Sequence, residues 1–282
     1  MWEMFSYGFM QRAFVAASLI GLVCSAVGVF VVLRGLSLVG EGTAHAAFAG
    51  VALAFLLGAP PLPLAILFGL ATVWTTGWLQ ERGRLKVDAA ISVVYTLAMA
   101  LAALFIGLMK EANPQVYGYL FGTLLSVTPE DVVRIAALSA GILILLTLFF
   151  KEFHFISFDQ EMAEASGVPA RLLFFLLLGL IALTIVVSMK AVGAILVVAL
   201  LVIPAAAAQQ WATTMRAMMA GAIAIGLFSS WAGVALSWWL DIASSATIIL
   251  LAMAIFFLSI FFSPKRRRTR PTSTPSPTST PS

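Results

Sequence analysis

Residues 13–33 read AFVAASLIGLVCSAVGVFVVL, a run that contains no charged side chain. A helix needs about 20 mostly apolar residues to cross the hydrocarbon core of a bilayer, and this run has that length. The whole chain has a similar composition, since 62% of its 282 residues are hydrophobic and only 10% are charged. Soluble domains carry about a quarter charged residues. We therefore expect an all-α polytopic membrane protein rather than a soluble enzyme.

Further apolar segments follow as far as residue 262. We predict nine transmembrane helices, with eight as the alternative, because the third segment is short and the sixth and seventh are joined only at Lys190. The predicted spans are 13–33, 40–58, 63–79, 89–108, 132–150, 172–190, 191–209, 217–238 and 244–262. Residues 1–262 thus form one transmembrane domain, and residues 263–282, first basic and then rich in Pro, Ser and Thr, form a disordered tail.

The basic residues predict which side of the membrane each connection faces, because cytoplasmic loops carry an excess of Lys and Arg. With the C-terminus in the cytoplasm and nine spans, 12 of the 16 basic residues lie on the cytoplasmic side. They are Arg34, Arg82, Arg84, Lys86, Lys151, Arg171, Arg216, Lys265, Arg266, Arg267, Arg268 and Arg270. Nine spans place the N-terminus outside and eight place it inside. Residues 1–11 have no basic region, so we expect no cleavable signal peptide.

One acidic residue, Glu41, lies within a predicted span, and His45 follows four residues later. On a helix these two positions share a face, so carboxylate and imidazole can converge on one ion. One oxygen and one nitrogen ligand suit zinc, manganese or ferrous iron better than magnesium or calcium. The alternative is a hydrogen-bonded pair that only fixes helix packing. The single cysteine, Cys24, excludes a disulfide framework and is expected to be a small buried hydrophobe.

The longest charged connection runs from Lys151 to Arg171. Asp159 can cap a short helix over residues 161–165, which Gly167 and Pro169 then end. Such a helix is either a docking element for a soluble partner or a connector on the lipid headgroups. His154, in the same connection, is expected at the surface or an interface. The sequence contains no Walker phosphate loop, HExxH motif or nucleophile elbow.

Several blocks of sequence, in this order along the chain, resemble one known family. They are VLRGLSL at 32–38 with GEGTAHA at 40–46, LFGTLLSV at 120–127, SFDQEMA at 157–163 with ASGV at 165–168, and AVGAILVVALLVIPAA at 191–206. Together they make the chain similar to the permease subunit of bacterial ATP-binding-cassette importers for zinc, manganese and iron. The resemblance covers nearly all of residues 8–262.

The resemblance implies a homodimeric or paired permease in the bacterial cytoplasmic membrane, in contact with lipid and not with nucleic acid. Cytoplasmic ATPase subunits would hydrolyse ATP, and an extracytoplasmic protein would deliver the metal. It assigns Glu41 and His45 to a transported divalent ion, with no cofactor bound permanently. It also assigns a helix that couples the permease to the ATPase, with the residues Phe158, Asp159, Glu161, Ala163, Glu164, Ala165, Gly167 and Pro169.

The sequence departs from the family's pattern at several positions. Glu41 is longer than the usual aspartate, and Ala44 replaces a usual serine. Asp88 retains only the second acid of a usual acidic pair, and residues 243–245 lack the expected Pro and Gly. A permease for a metal chelate and a stand-alone secondary transporter stay open as alternatives. A membrane enzyme is disfavoured because no second group of catalytic residues lies within the spans.

Overall fold

The structure, a computed structural model, describes residues 6–83, 87–109, 114–122 and 124–263. Within these residues the chain is all-α, with twelve α-helices and one short 3-10 helix at Leu124–Ser126. The helices are α1 Gly8–Leu33, α2 Ser37–Leu57, α3 Pro61–Gly83, α4 Val87–Leu108, α5 Pro114–Phe121, α6 Pro129–Leu148, α7 Phe150–Phe158, α8 Gln160–Ala165, α9 Ala170–Val192, α10 Ala194–Gln209, α11 Met215–Leu240 and α12 Ser244–Phe261. The predicted tail beyond Ser263 lies outside the described residues.

Eight of these helices are long and apolar enough to cross a membrane. They are α1, α2, α3, α4, α6, α9, α11 and α12. The apolar helix α10, with 16 residues, is shorter and corresponds to the seventh predicted span. The fold class predicted from hydropathy is therefore confirmed, with eight long helices in the described part of the chain and a ninth of reduced length.

The boundary between α9 and α10 differs from the predicted one. Lys190 continues the helix, with its half-exposed side chain paired to Asp131: the ammonium group lies 2.6 Å from a carboxylate oxygen. The helix instead ends at Gly193, whose φ of +84° favours glycine. A Cβ at Gly193 would also lie 2.4 Å from the carbonyl carbon of Phe121, so α5 packs directly against this break.

Helix α1 lies at the centre of the bundle and packs through small residues. A Cβ at Gly21 would come within 2.7 Å of the Ser230 hydroxyl on α11. A Cβ at Gly28 would come within 1.8 Å of the Leu201 carbonyl oxygen on α10. Membrane helices commonly associate through such small residues, because lipid supplies no hydrophobic drive to bring them together.

Successive long helices alternate in direction, and α10 continues the alternation. Arg34 at the end of α1 donates a hydrogen bond to Gln160 on α8, so the α1–α2 corner, α7 and α8 share one end of the bundle. We call this the Arg34 end. Lys190 and Asp131 lie at the opposite end, the Lys190 end, together with Arg12, whose Nε donates to the Val127 carbonyl.

Two helices were not predicted from the sequence. Helix α5 has eight residues and lies at the Lys190 end. Helix α7 follows α6 after Phe149 alone and occupies the first part of the predicted charged connection. Phe153 and Ile156 of α7 are buried against the bundle, while His154 is exposed, as predicted.

Candidate functional site

Helix α2 carries the predicted metal-binding pair on the one side that the rest of the chain leaves open. The corner before it is formed by Gly35, with a φ of +66°. Most of α2 is buried, but Leu38 and Glu41 are exposed and His45 is half-buried. These residues have the spacing i, i+3 and i+7, which is one face of a helix. The prediction that carboxylate and imidazole share a face is confirmed.

This open face continues onto α4. A cavity of about 180 Å³ lies between the two helices, and Glu41 forms part of its wall. The other lining residues are Leu38, Gly42, Ile91, Ser92 and Tyr95. The missing side chain at Gly42 brings the helices together, because a Cβ there would lie 3.3 Å from Ile91 Cγ2 and 3.7 Å from Tyr95 Cβ.

His45 packs against the aromatic ring of Tyr95. The two ring centroids lie 5.2 Å apart with an angle of 74° between the planes, an edge-to-face contact. His45 Nδ1 is buried and has no hydrogen-bond partner. The Glu41 carboxylate is close enough to act electrostatically on the imidazole. A negative oxygen and a ring nitrogen thus lie on one side of α2, facing α4.

The pair does not form a complete metal site in a single chain. Among the residues that the structure describes, no three or more His, Cys, Asp or Glu side chains come together as a ligand group. Transition metals and zinc in proteins take four or more ligands. Within the described residues, Glu41 and His45 therefore offer half of a site or less.

The position of Glu41 adds a second constraint. A carboxylate on a membrane-spanning helix is costly in lipid, and such residues almost always face a bundle interior or a water-filled cavity. By helix rise, Glu41 lies about 6 Å and His45 about 12 Å along the axis from Ser37, so both lie within the span. The open face of α2 must therefore be covered by protein or water in the membrane.

The predicted coupling helix is present as α8 and lies at the Arg34 end. The Asp159 side chain accepts a hydrogen bond of 2.8 Å from the Met162 backbone amide, which is the predicted cap. Gly167 has a φ of +83°, and the Val168 amide closes the turn onto the Ala163 carbonyl at 3.0 Å. The predicted start and end of this helix are confirmed.

The side chains of the coupling segment divide into two sets. Ala163 is fully buried, so it packs beneath the helix and cannot touch a partner. The exposed members of the predicted set are Phe158, Asp159, Glu161, Glu164, Ala165, Gly167 and Pro169. Met162 was not among the predicted residues but is 57% exposed, beside Phe158 at 69%. An exposed methionine next to an exposed phenylalanine makes an apolar contact surface at this end.

Arg34 joins the two regions. Its guanidinium donates a 2.7 Å hydrogen bond to Gln160 Oε1 at the start of α8 and lies 4.6 Å from the centre of the Phe174 ring on α9. Arg34 is also the residue from which the chain turns into α2. One side chain therefore links α8 to the corner before the helix that carries Glu41 and His45.

A second cavity lies at the Lys190 end, with a volume of about 120 Å³. The paired side chains of Asp131 and Lys190 line it, together with Tyr119 and Arg134. The sequence did not predict this ion pair, because its two residues are 59 positions apart. Burial, and secondly the charge of Asp131, raises the pKa of Tyr119.

The chain matches known membrane transport proteins over most of its length. The family described as the ABC 3 transport family matches residues 6–263. The manganese transport system membrane protein MntC of Halalkalibacterium halodurans is 34% identical over 94% of this chain and 90% of its own length. The manganese import system permease protein ScaB of Streptococcus parasanguinis is 34% identical over 94% of both chains. The solved structure described as PsaBC from Streptococcus pneumoniae in complex with Fab superposes with a TM-score of 0.83 and 35% identity, covering 93% of this chain and 94% of that one.

Proposed function

The chain belongs to the ABC 3 transport family, and from this premise we propose that it is the permease subunit of an ATP-driven importer of a divalent transition-metal ion. Manganese is the proposed cargo, because both curated relatives described above are named for manganese. The observation that carries the proposal is the open face of α2, where Glu41 and His45 are adjacent within an otherwise buried span. A carboxylate and an imidazole suit manganese, zinc and iron.

Two copies of the chain would complete the site. A second permease packed on the open faces of α2 and α4 would add another carboxylate and another imidazole, giving four protein ligands. It would also shield the Glu41 carboxylate from lipid, where a charge is energetically costly. A transport site must bind the ion and then release it, and a site shared between two subunits can be opened by moving them apart.

The ATPase partner is assigned to the Arg34 end. This end contains the apolar surface of Phe158 and Met162 and most of the basic residues that the structure describes. The positive-inside rule supports a cytoplasmic location for this end and agrees with the proposed cytoplasmic C-terminus. The extracytoplasmic metal-binding protein then docks at the Lys190 end.

Transmission from the ATPase to the metal site follows from the link through Arg34. A displacement of α8 by the ATPase acts on Gln160, and the hydrogen bond to Arg34 carries it to the corner from which α2 begins. Rigid movement of the paired helices would then expose the site to one side of the membrane at a time.

A pair of variants tests the metal site. In proteoliposomes containing the permease, its ATPase and its binding protein, His45→Ala should reduce ATP-dependent ⁵⁴Mn²⁺ uptake at least about tenfold, since one ligand of each copy is lost. Phe228→Ala is the control, because that ring is 59% exposed on α11 and does not line the Glu41 cavity, and uptake should be unchanged. Normal uptake by His45→Ala would contradict the proposal. Competition by free ions but not by chelates would exclude a chelate permease.

Met162→Glu tests the docking surface. The charge replaces an exposed apolar contact without entering the bundle, whereas the same charge at Ala163 would disrupt packing. The variant should retain its membrane yield and thermal unfolding but lose co-purification with the ATPase. A complex as stable as that of the parent would remove α8 from the interface. A permease that transports manganese with no ATPase present would instead be a secondary transporter.

A further inference from the structure

The edge-to-face contact between His45 and Tyr95 has a consequence for how the imidazole is oriented. Tyr95 belongs to α4, and its ring centroid lies 5.2 Å from that of His45. The same ring lines the cavity that contains Glu41. Tyr95 therefore borders both proposed metal-binding side chains of the chain, although it follows His45 by 50 positions.

The contact depends on the close approach of α2 and α4 at Gly42. A Cβ at this position would already meet Ile91 Cγ2 at 3.3 Å and Tyr95 Cβ at 3.7 Å, so a side chain larger than alanine would hold the helices apart. Gly42 lies between Glu41 and His45 in sequence. The glycine thus places the Tyr95 ring beside the imidazole at the level of the proposed site.

A metal-binding histidine usually has its second ring nitrogen held by a hydrogen bond. The usual partner is a carboxylate, a backbone carbonyl or water, and the bond fixes the ring and makes it a stronger ligand. His45 Nδ1 is buried, and no protein group among the described residues hydrogen-bonds it. The neighbouring ring of Tyr95 is the contact that restricts rotation of the imidazole.

We propose that Tyr95 is a positioning residue for binding of the transported ion. Its ring packs against the His45 imidazole and holds it toward the Glu41 side, without a hydrogen bond. This inference rests on the proposed function, since it takes His45 as a ligand. Packing fixes the direction of the ring without raising its basicity. The resulting site is oriented but weak, as release of the ion to the other side of the membrane requires.

The proposal separates the ring of Tyr95 from its hydroxyl group. Tyr95→Phe retains the ring and should leave the KM for manganese uptake within about twofold of the parent. Tyr95→Leu removes the ring and should raise the KM about tenfold, the lower end of the effect seen when the support of a metal ligand is lost. The maximal rate at saturating manganese should change little, because the path and the ATPase contact are intact.

The matched control is Phe228→Leu, since Phe228 is 59% exposed on α11 and does not line the Glu41 cavity. It should leave both kinetic parameters unchanged. Tyr95→Met is the second variant, because its flexible side chain fills the space between α2 and α4 and secures folding if the leucine variant accumulates poorly. The same rise in KM is expected for it.

The inference is overturned if Tyr95→Leu and Tyr95→Met keep the parental KM while His45→Ala is inactive. A loss of maximal rate at unchanged KM would also overturn it, since that result would show that Tyr95 only supports the packing of α2 against α4. If Tyr95→Phe is as impaired as Tyr95→Leu, the hydroxyl is responsible and ring positioning is wrong. Normal uptake by His45→Ala would instead refute the proposed function, so the two failures are distinguishable.

Discussion

Gly28→Ala should destabilise the protein strongly, because α1 and α10 are in backbone contact at this point. An added Cβ would lie 1.8 Å from the Leu201 carbonyl oxygen and 2.8 Å from its carbon. Carbon and oxygen atoms in contact normally stay about 3.3 Å apart or more. The two helices must therefore separate by roughly 1.5 Å, and no change of rotamer can relieve the overlap, since both groups belong to backbone.

The cost can be bounded from the geometry. Inserting one methyl group into a packed interior costs about 1–3 kcal/mol and occasionally more. We expect at least about 3 kcal/mol at Gly28, because rigid backbone rather than a side chain opposes the methyl group. The matched control is Gly141→Ala on α6, where an added Cβ meets nothing within 4 Å. Alanine is favoured over glycine in a helix by roughly 0.5–1 kcal/mol, so this variant should be slightly more stable.

The assay is thermal unfolding of the purified permease in detergent, followed by tryptophan fluorescence. At about 2–4 °C per kcal/mol for a chain of this size, Gly28→Ala should unfold roughly 10 °C below the parent, and Gly141→Ala at or above it. Equal unfolding temperatures for the two variants would show that α1 and α10 do not touch as described, and would refute the reasoning.

Three further predictions concern other contacts of the described residues. Lys190→Met should lower the free energy of unfolding by about 1–2 kcal/mol, because it leaves the Asp131 carboxylate without its cationic partner. The half-exposure of Lys190 keeps this loss small, and adding Asp131→Asn should restore most of the unfolding temperature. Asp159→Ala should reduce the stability of α8 by about 1 kcal/mol, because it removes the hydrogen bond that the Asp159 side chain accepts from the Met162 amide. Amide hydrogen exchange should become faster in α8 alone. The raised pKa of Tyr119 means that the folded protein favours the neutral phenol. The stability that Tyr119 contributes is therefore complete at neutral pH and is lost as the pH rises above about 10. Tyr119→Phe should therefore unfold less readily than the parent at alkaline pH, and a parallel decline of both proteins would contradict this.

The membrane fold could be predicted from the sequence because its signal is local. A run such as residues 13–33 has both the length and the composition of a span, and neither depends on the rest of the chain. The boundary at Lys190 was wrong for the opposite reason. A charged residue indicates the end of a span only if it has no partner, and Asp131 comes from a distant part of the chain. Gly193 was visible in the sequence, but its positive φ was not.

The candidate site was predictable only in the part that lies within one helix. Glu41 and His45 are four residues apart, so helical geometry alone places them on one face. Tyr95 comes from α4, and its position beside His45 depends on the crossing of two helices at Gly42. The coupling segment shows the same limit. Its bounds follow from Asp159 and the terminal glycine, but only packing separates buried Ala163 from exposed Met162.

The open face of α2 links assembly to transport. The described part of a single chain leaves Glu41 exposed on a membrane-spanning helix and supplies too few ligands for a metal ion. A second copy resolves both problems with the same contact, because the surface that covers the carboxylate is the surface that adds the missing ligands. A bulky substitution at exposed Leu38 should therefore reduce permease pairing and manganese uptake together, whereas Glu41→Gln should reduce uptake and still allow pairing, because its neutral side chain is less costly to leave in lipid. Cross-linking of the two copies alongside ⁵⁴Mn²⁺ uptake measures both effects. If the Leu38 variant lost pairing but transported manganese normally, the site would be complete within one chain and the argument for a shared site would be wrong.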